Sequence, residues 1–274
     1  MNEIQKKLLD ILIWFDSFTR KHNLKYYALG GTMLGAYRHR GFIPWDDDID
    51  VGMPREDYEK FVELMKTSEQ DRFVLETPYS TDKKYLYSVS KLFDTNTTVI
   101  EKTRQKLVRG LWLDILVLDG MGRSKEEATE FIKKITRLNY LLVTRRAIVR
   151  KQRSFLKNCA ILFSRLVPDF IFRPKKIQHK IEELRKIYSW NDSLYGGNTI
   201  GYAEKEIIPI TVWGKPTEYD FEGISIYGVE KPDEYLTSLF GDWRKLPPEN
   251  KRYSGHDFLK IEFEKPYISK KEKE

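Results

Sequence analysis

Residues 26–53, YYALGGTMLGAYRHRGFIPWDDDIDVGM, contain the pattern that decides the fold of this chain. A short apolar strand is predicted to end at Gly30 and Gly31. A second apolar strand contains Asp48, seventeen residues after Gly31, and Asp50. Because side chains alternate faces along a strand, we expect both carboxylates on one face and their apolar neighbours in the core. Adjacent carboxylates repel each other unless a cation lies between them, and Mg²⁺ is the usual cation where phosphates are the substrate.

A third acidic residue, Asp114, interrupts the otherwise apolar stretch LWLDILVL. Burying a lone carboxylate is costly, so Asp114 is expected to be paired, hydrogen-bonded or bound to a metal. The alternative is an acid on the solvent side of an edge strand. Phosphoryl and nucleotidyl transfer commonly uses two metal ions about 3.5 to 4 Å apart, normally held by three carboxylates. Asp114 is therefore the candidate third ligand beside Asp48 and Asp50. Asp46 and Asp47 come just before the strand, and an ordinary role as loop acids or turn caps would also explain them.

Gly30, Gly31 and Thr32 precede a short predicted helix. Glycines let a phosphate approach the backbone closely, and the N–H groups at the start of a helix attract anions. A Gly-Gly pair alone is a weak signal. Its fixed distance from the two aspartates makes it more specific, so these three residues are candidates for binding the donor phosphate or nucleotide.

Basic and aromatic residues near this pattern have two interpretations each. Arg38 and His39 are predicted in the loop between the glycines and the aspartates, where they either contact phosphate or are simply solvated. Lys91, near the end of a predicted strand, is either directed at phosphate or extends to the surface. Trp45 either stacks on a base or packs in the core. His256 belongs to a C-terminal segment to which no role is assigned.

The composition allows a substantial core, since 41% of the 274 residues are hydrophobic and 14% are aromatic. This length fits one large domain or a core with an added subdomain. The single cysteine excludes a disulfide framework and a cysteine zinc cluster, and indicates a reducing compartment. The N-terminal stretch MNEIQKKLLDILIWFDSF has charges throughout, which predicts an amphipathic helix and not a signal peptide. We expect a cytoplasmic protein, either soluble or peripheral at the inner face of the cell membrane.

The positive charge of the chain is concentrated in residues 133–180. This window has 14 Lys and Arg against one acid, Asp169, so it contributes +13 to a net charge of +7 and leaves −6 for the remainder. A polyanionic partner is indicated. Apolar residues interleave with the basic ones, so its helices either pack on the core with Lys and Arg in water, or lie on an anionic membrane surface. Nucleic acid is not expected, because no recognisable nucleic-acid motif is present.

Hydrophobic periodicity and breaker residues predict the secondary structure. Helices are expected over residues 3–22, 32–37, 54–66 and 232–240, with several more across 124–186. Strands are expected over residues 26–29, 48–53, 85–93, 97–101 and 111–118, with short strands and turns from residue 195, including 221–228.

The stretch LGGTMLGAYRHRGFIPWDDDIDVGMPREDYEKF resembles the opening motif of the LicD family, a branch of the nucleotidyltransferase fold that includes fukutin and the fukutin-related protein. The likeness extends to Ser90-Lys91-Leu92, to WLDILVLDG and to GDWRKLPP, and is poorest over residues 125–200. It implies an α+β fold, with a nucleotidyltransferase-like mixed β-sheet core flanked by helices, a basic helical insertion and a small C-terminal region.

The resemblance also implies a division of the chain. The catalytic core is expected over residues 1–123, and a basic helical subdomain facing membrane or acceptor over 124–190. A C-terminal region over 191–267 would complete the catalytic domain, and residues 268–274 would form a disordered tail.

By this resemblance the chain is expected to be a metal-dependent phosphotransferase. Family members move phosphocholine, or a polyol phosphate such as ribitol or glycerol phosphate, from a CDP-linked donor to a glycan hydroxyl and release CMP. The implied acceptors are lipid-linked or polymeric precursors of teichoic acid, capsule or lipopolysaccharide. Asp48, Asp50 and Asp114 would be both the metal ligands and the catalytic residues, holding two Mg²⁺ or Mn²⁺ ions. A nucleotidyltransferase acting on a small molecule or antibiotic remains the alternative.

Overall fold

The computed structural model describes residues 1–69, 71–79, 87–103, 107–150, 154–254, 256 and 258–267. Helices and a mixed sheet combine in one chain, so the predicted α+β class is confirmed. The helices are α1 (Glu3–Lys21), α2 (Gly30–His39), α3 (Arg55–Thr67), α4 (Lys125–Arg146), α5 (Phe155–Leu166), α6 (Asp169–Phe172), α7 (Pro174–Arg185), α8 (Ile210–Trp213) and α9 (Pro232–Phe240). The strands are β1 (Tyr27–Ala28), β2 (Asp50–Pro54), β3 (Phe73–Glu76), β4 (Ser90–Asp94), β5 (Thr98–Glu101), β6 (Val108–Arg109), β7 (Trp112–Gly120), β8 (Tyr195–Asn198), β9 (Ile208–Pro209), β10 (Thr217–Phe221), β11 (Ile224–Gly228) and β12 (Phe258–Glu262).

The main sheet is built around β7, the longest strand in the described part of the chain. Its order is β1-β2-β7-β4-β3, with β8 also pairing with β7 and β9 with β8. The β2–β7 pair is parallel, whereas β4 runs antiparallel to β7. In this register both Asp50 of β2 and Lys91 of β4 lie opposite Asp114. The sheet therefore places two of the predicted metal ligands and a lysine side by side on neighbouring strands.

Helix α1 covers the sheet as its sequence periodicity predicts. Asn2 and Gln5 form a reciprocal capping box that satisfies N–H groups at the helix start. Leu8, Leu12 and Phe15 lie on its buried face, each at most 1% exposed, in the main core.

The second strand begins two residues later than predicted. The prediction covered residues 48–53, but the ladder starts at Asp50, where the pairing with Asp114 of β7 begins. Asp48 thus precedes the strand. The carbonyl of Ile49 still accepts a hydrogen bond from the Asp114 N–H at 2.9 Å. Ile49 and Val51 are both buried, so the expected alternation of faces is observed.

Helix α2 is longer than the predicted helix over residues 32–37. It begins at Gly30 and continues to His39, so the prediction that Arg38 and His39 lie in a loop is wrong. The helix ends where Arg40 adopts a left-handed conformation with φ of 55°. The Arg40 N–H donates to the carbonyl of Ala36, as in common C-terminal helix caps.

The remaining elements follow the sequence with small shifts. Residues 85 and 86 of the strand predicted over 85–93 lie outside the described residues, and β4 begins at Ser90. Among the short strands and turns predicted from residue 195, those including 221–228 form a hairpin of β10 and β11. Its turn contains Glu222 and Gly223, both with positive φ. The predicted disordered tail, 268–274, lies outside the described residues.

The basic segment folds into helices as predicted. Ser124 and Glu127 cap α4 reciprocally. Helices α4 and α7 share a second buried cluster beside the main core, formed by Met121, Ala128, Phe131, Ile132, Ile135, Leu142, Ile181 and Ile207. The boundaries proposed for a separate subdomain stay a prediction. No helix of the described residues is both long and apolar enough to cross a bilayer.

Buried ion pairs join this helical part to the sheet. Arg55 of α3 donates to both oxygens of Asp119 on β7, at 2.6 and 3.0 Å, and to Glu182 of α7 at 2.5 Å. Arg185 lies 3.5 Å from the same Asp119 carboxylate. Asp119 and Arg185 are only 2% and 3% exposed. The buried Asp119 carboxylate is therefore compensated by two guanidinium groups, those of Arg55 and Arg185.

Replacing Asp119 by Ala is expected to lower the free energy of unfolding by about 3 to 5 kcal/mol, because it leaves buried guanidinium groups without their partner. Urea denaturation measures the change. The matched control is Glu183→Ala, which breaks an exposed pair with Lys180 and should cost less than about 0.5 kcal/mol. A cost for Asp119→Ala as small as that of the control would contradict the structural role.

Candidate active site

The carboxylates predicted to bind metal meet at the start of the parallel β2–β7 pair. Asp50 and Asp114 lie directly opposite each other in the register. The N–H of Asp50 donates to the Thr32 hydroxyl at 2.9 Å, which ties the beginning of β2 to the first turn of α2. Since β7 lies between β2 and β4, the alternative that Asp114 is on an edge strand is wrong.

Asp46, Asp48 and Asp50 form one interacting group of acids. Each keeps some exposed surface, as residues of an open site do, but protein surrounds their carboxyl groups closely. Burial, followed by the charges of Asp48 and Asp114, raises the pKa of Asp50 well above its usual value. Burial and the neighbouring Asp48 raise the pKa of Asp46 to about 8. Burial also raises the pKa of Asp48. Protonation of these carboxyls is therefore favoured, and a divalent cation would compete with protons for them.

Lys91 is paired with Asp114. Its Nζ lies 2.7 Å from one Asp114 oxygen, and Trp112 Nε1 donates to the other at 3.1 Å. The ammonium also lies over the rings of Trp112 and Tyr87, at 4.2 and 4.9 Å from their centroids. Lys91 is only 4% exposed, so the interpretation that it extends to the surface is wrong. That it contacts donor phosphate stays a prediction.

The two glycines leave room for an acid at the start of α2. Gly30 has φ of +47°, a conformation that favours glycine, and its N–H donates to the Tyr235 hydroxyl at 3.0 Å. A Cβ on Gly31 would lie 2.6 Å from an Asp46 carboxylate oxygen. Within this structure the space at Gly31 is thus used by Asp46, and the predicted phosphate binding by Gly30, Gly31 and Thr32 stays untested.

The structure does not bring Arg38 and His39 into contact with the carboxylates. They lie in the last turn of α2, about 12 Å along the helix axis from Gly30. Arg38 donates to His39 Nε2 at 3.0 Å and to the Trp243 carbonyl at 2.6 Å. His39 is exposed. Their predicted role in donor binding remains open to test.

Asp47 turns toward the C-terminal segment. One of its oxygens lies 3.1 Å from His256 Nδ1, and the other accepts from the Ser254 hydroxyl. Burial alone would raise the pKa of Asp47, but these two hydrogen bonds outweigh it and leave the pKa below its usual value. The His256 ring stacks on Phe258 and meets the edge of Trp112. His256 thus connects the acidic loop to β12, which no local pattern in the sequence indicated.

Tyr202 is a second residue that the sequence did not single out. A Cβ on Gly30 would lie 3.6 Å from its ring and 3.8 Å from its hydroxyl. Burial and the nearby Asp50 raise the pKa of Tyr202, so its hydroxyl stays protonated. Tyr202 is nevertheless 46% exposed. It therefore forms part of the rim of the acidic cluster.

A hard divalent cation suits the donor set of this cluster. Asp48, Asp50 and Asp114 offer only carboxylate oxygens, the ligands that Mg²⁺ and Mn²⁺ prefer. In the described part of the chain no three His, Cys, Asp or Glu side chains are placed so that together they could hold a metal ion. The two oxygens of Asp114 are instead bonded to Lys91 and Trp112. Burial, followed by the charges of Asp48 and Asp114, raises the pKa of Asp50, and a cation would offset both effects.

Comparisons with known proteins point to one family. Residues 23–112 match the model described as LicD/FKTN/FKRP, nucleotidyltransferase domain. Over 261 residues the chain is 29% identical to the lipopolysaccharide cholinephosphotransferase LicD of Haemophilus influenzae, covering 93% of this chain and 96% of that protein. Over 34 residues it is 50% identical to the mouse ribitol 5-phosphate transferase FKRP, covering 12% of this chain and 7% of that protein.

Replacing Asp50 by Asn is expected to stabilise the metal-free protein by about 1 kcal/mol or more, because it removes a negative charge that faces Asp48 and Asp114. The stabilisation should be seen above the usual pKa of an aspartate, where the wild-type cluster is forced toward ionisation. Thermal unfolding in the presence of a chelator measures it. Adding Mg²⁺ or Mn²⁺ should raise the Tm of the wild type but not of the variant.

Asp220→Asn is the control for that substitution, since Asp220 is an exposed acid on β10. It should leave both the Tm and its response to metal unchanged. An Asp50→Asn protein that is less stable without metal, or that gains as much from metal as the wild type, would contradict the proposed repulsion.

Proposed function

The chain belongs to the LicD family, and from this premise we propose that it is a metal-dependent phosphotransferase acting on a cell-surface glycan precursor. It would move phosphocholine from CDP-choline to a glycan hydroxyl and release CMP. A polyol phosphate such as ribitol or glycerol phosphate, carried by the corresponding CDP-linked donor, is the related possibility. Teichoic acid, capsule and lipopolysaccharide precursors are the acceptor classes.

The observation that carries this proposal is the alignment of Asp50 with Asp114 on neighbouring parallel strands, with Asp48 just before the first of them. Three carboxylates lie at one end of the sheet, next to helix α2, which begins with two glycines. This arrangement suits the transfer of a phosphorylated group. Mg²⁺ or Mn²⁺ bound there would neutralise charge on the phosphate oxygens of donor and transition state.

The residues of this chain have separate tasks in such a reaction. Asp48 and Asp50 would hold metal, and Asp114 would complete the ligand set. Asp114 would also take the proton of the acceptor hydroxyl as that oxygen attacks the β-phosphorus of the donor and CMP leaves. Lys91, paired with Asp114 at 2.7 Å, would orient that carboxylate.

Phosphocholine is the favoured transferred group because the two named relatives match very different shares of this chain. The relative that is named a cholinephosphotransferase is matched over 93% of this chain. The relative named a ribitol 5-phosphate transferase is matched over 12%. A choline headgroup would need aromatic side chains near the acids. Tyr202 and Trp112 are aromatic side chains that border the cluster, and Tyr202, being more exposed, is the candidate to contact such a headgroup.

A nucleotidyltransferase acting on a small molecule is the second candidate. It is favoured by the description of the matched model, which is a nucleotidyltransferase domain. The same acidic residues would serve both reactions, but the substrates consumed differ. The second candidate uses a nucleoside triphosphate and releases pyrophosphate, whereas the first uses a CDP-linked donor and releases CMP.

The test is a release assay with the purified protein. CDP-choline, CDP-ribitol and CDP-glycerol are each supplied with Mg²⁺ and a glycan-lipid acceptor fraction, and CMP is quantified. We expect CMP from CDP-choline in the presence of acceptor, and a loss of rate of about a hundredfold or more in Asp48→Asn. Asp220→Asn should retain the wild-type rate, because Asp220 is an exposed acid on β10.

Two results would overturn the proposal. Transfer by Asp48→Asn at the wild-type rate would show that the acidic cluster is not the site. Consumption of a nucleoside triphosphate with pyrophosphate release, and no CMP from any of the three donors, would establish the second candidate instead.

A further inference from the structure

Helix α5 has a continuous apolar stripe along its length. Its members are separated by the intervals of one helix face, at i, i+1, i+4, i+7, i+8 and i+11, and span about 120° of the helix surface. They are Phe155, Leu156, Cys159, Leu162, Phe163 and Leu166. In a globular protein a stripe of this kind normally faces the core.

In this protein the stripe faces outward. Phe155, Leu156 and Leu166 are 78 to 80% exposed, and Phe163 is 68% exposed. The buried residue of α5 is Ile161, which lies on the opposite side of the helix and is 3% exposed. On that side Arg145 of α4 donates to the Ser164 carbonyl. Helix α5 is therefore held against α4 by its more polar side, with its apolar side turned away.

The next short helix extends this surface. Phe170 and Ile171 of α6 are 74% and 61% exposed. We call the stripe of α5 together with Phe170 and Ile171 the α5–α6 apolar face. Scattered exposed apolar residues are ordinary, but a contiguous group of large ones marks a contact surface.

Exposed basic side chains surround the α5–α6 apolar face. Lys157 and Arg165 lie outside the stripe, on the more polar side of α5, and Arg173 and Lys176 follow α6. Within residues 133–180 of the sequence Asp169 is the single acid. The large apolar groups of this face thus belong to an amphipathic segment with a strong positive charge.

This combination decides between the candidate occupants. A second copy of the chain would bring two segments of charge +13 together, and like charges in contact repel each other. A neutral apolar partner would leave the basic residues without a function. An anionic bilayer satisfies both features, since acyl chains accept the apolar stripe and headgroups attract the Lys and Arg.

We propose that the α5–α6 apolar face docks on an anionic lipid surface, with α5 lying in the plane of the interface. The helix is 12 residues long, which is too short to span a bilayer. This inference is independent of the donor and acceptor chemistry proposed above, because binding is measured without either substrate.

Cys159 makes a direct test practicable. It is the single cysteine of the chain, it is exposed, and it lies within the stripe. The full-length protein is labelled there with the environment-sensitive dye NBD and titrated with vesicles. We expect a blue shift and a rise in emission with vesicles containing roughly one-third phosphatidylglycerol, and a much weaker response with pure phosphatidylcholine. Raising the salt concentration should weaken the response, because it screens the headgroup charge.

Two variants distinguish binding through the α5–α6 apolar face from binding through the general positive charge of the protein. Phe163→Glu/Leu166→Glu should lower vesicle partitioning about tenfold or more in a flotation assay with unlabelled protein. Ile187→Glu is the matched control, since Ile187 is 58% exposed but lies outside the face, and it should partition like the wild type. Thermal unfolding checks that each variant is folded, which is expected because all three side chains are exposed.

Three outcomes would overturn the proposal. One is a wild-type protein that does not bind anionic vesicles at low salt. Another is a double variant that is folded and binds as the wild type does. The third is a wild-type dimer that the double variant converts to a monomer with no vesicle binding by either, which would assign the face to self-association.

Discussion

The repulsion among carboxylates at the start of the β2–β7 pair is the constraint on which the rest of the site depends. Parallel pairing fixes Asp50 opposite Asp114, and burial raises the pKa of Asp50 well above its usual value. The surroundings are arranged to tolerate this charge. Lys91 pairs with Asp114. Burial and the charge of Asp48 raise the pKa of Asp46. The contacts of Asp47 turn its carboxylate toward His256 and Ser254. A site that stores this much repulsion is stabilised by a cation.

Much of this arrangement could be predicted from the sequence, because each strand has a simple local pattern. Asp50 and Asp114 are acids within apolar strands, and such acids have few explanations other than a shared site. Gly30 and Gly31 signal a close approach at the start of α2, although in this structure the approaching group is the carboxylate of Asp46. Most elements followed from periodicity and breakers, whereas the α+β class was implied by the resemblance to the LicD family. The boundary errors occurred where pairing decides where an element begins, as at Asp50.

Contacts between distant residues could not be predicted in this way. The pairing of Lys91 with Asp114 depends on β4 being the antiparallel neighbour of β7. His256 and Asp47 are 209 residues apart in sequence. The periodicity of α5 is the same whether its apolar side faces the core or the solvent. Only the three-dimensional structure shows that the side containing Ile161 faces inward. The three-dimensional structure therefore adds the electrostatic partners of the site and the orientation of the basic helices.

Anomalous X-ray scattering from crystals grown with Mn²⁺ is the most direct test of the central claim that the acidic cluster is a metal site. Anomalous difference density locates Mn²⁺ independently of any activity or substrate. The account predicts at least one strong peak within bonding distance of carboxylate oxygens of Asp48, Asp50 and Asp114, about 2.0 to 2.3 Å away, with Lys91 displaced from Asp114. A map with no peak at these residues, at Mn²⁺ concentrations that support any activity the protein has, would contradict it.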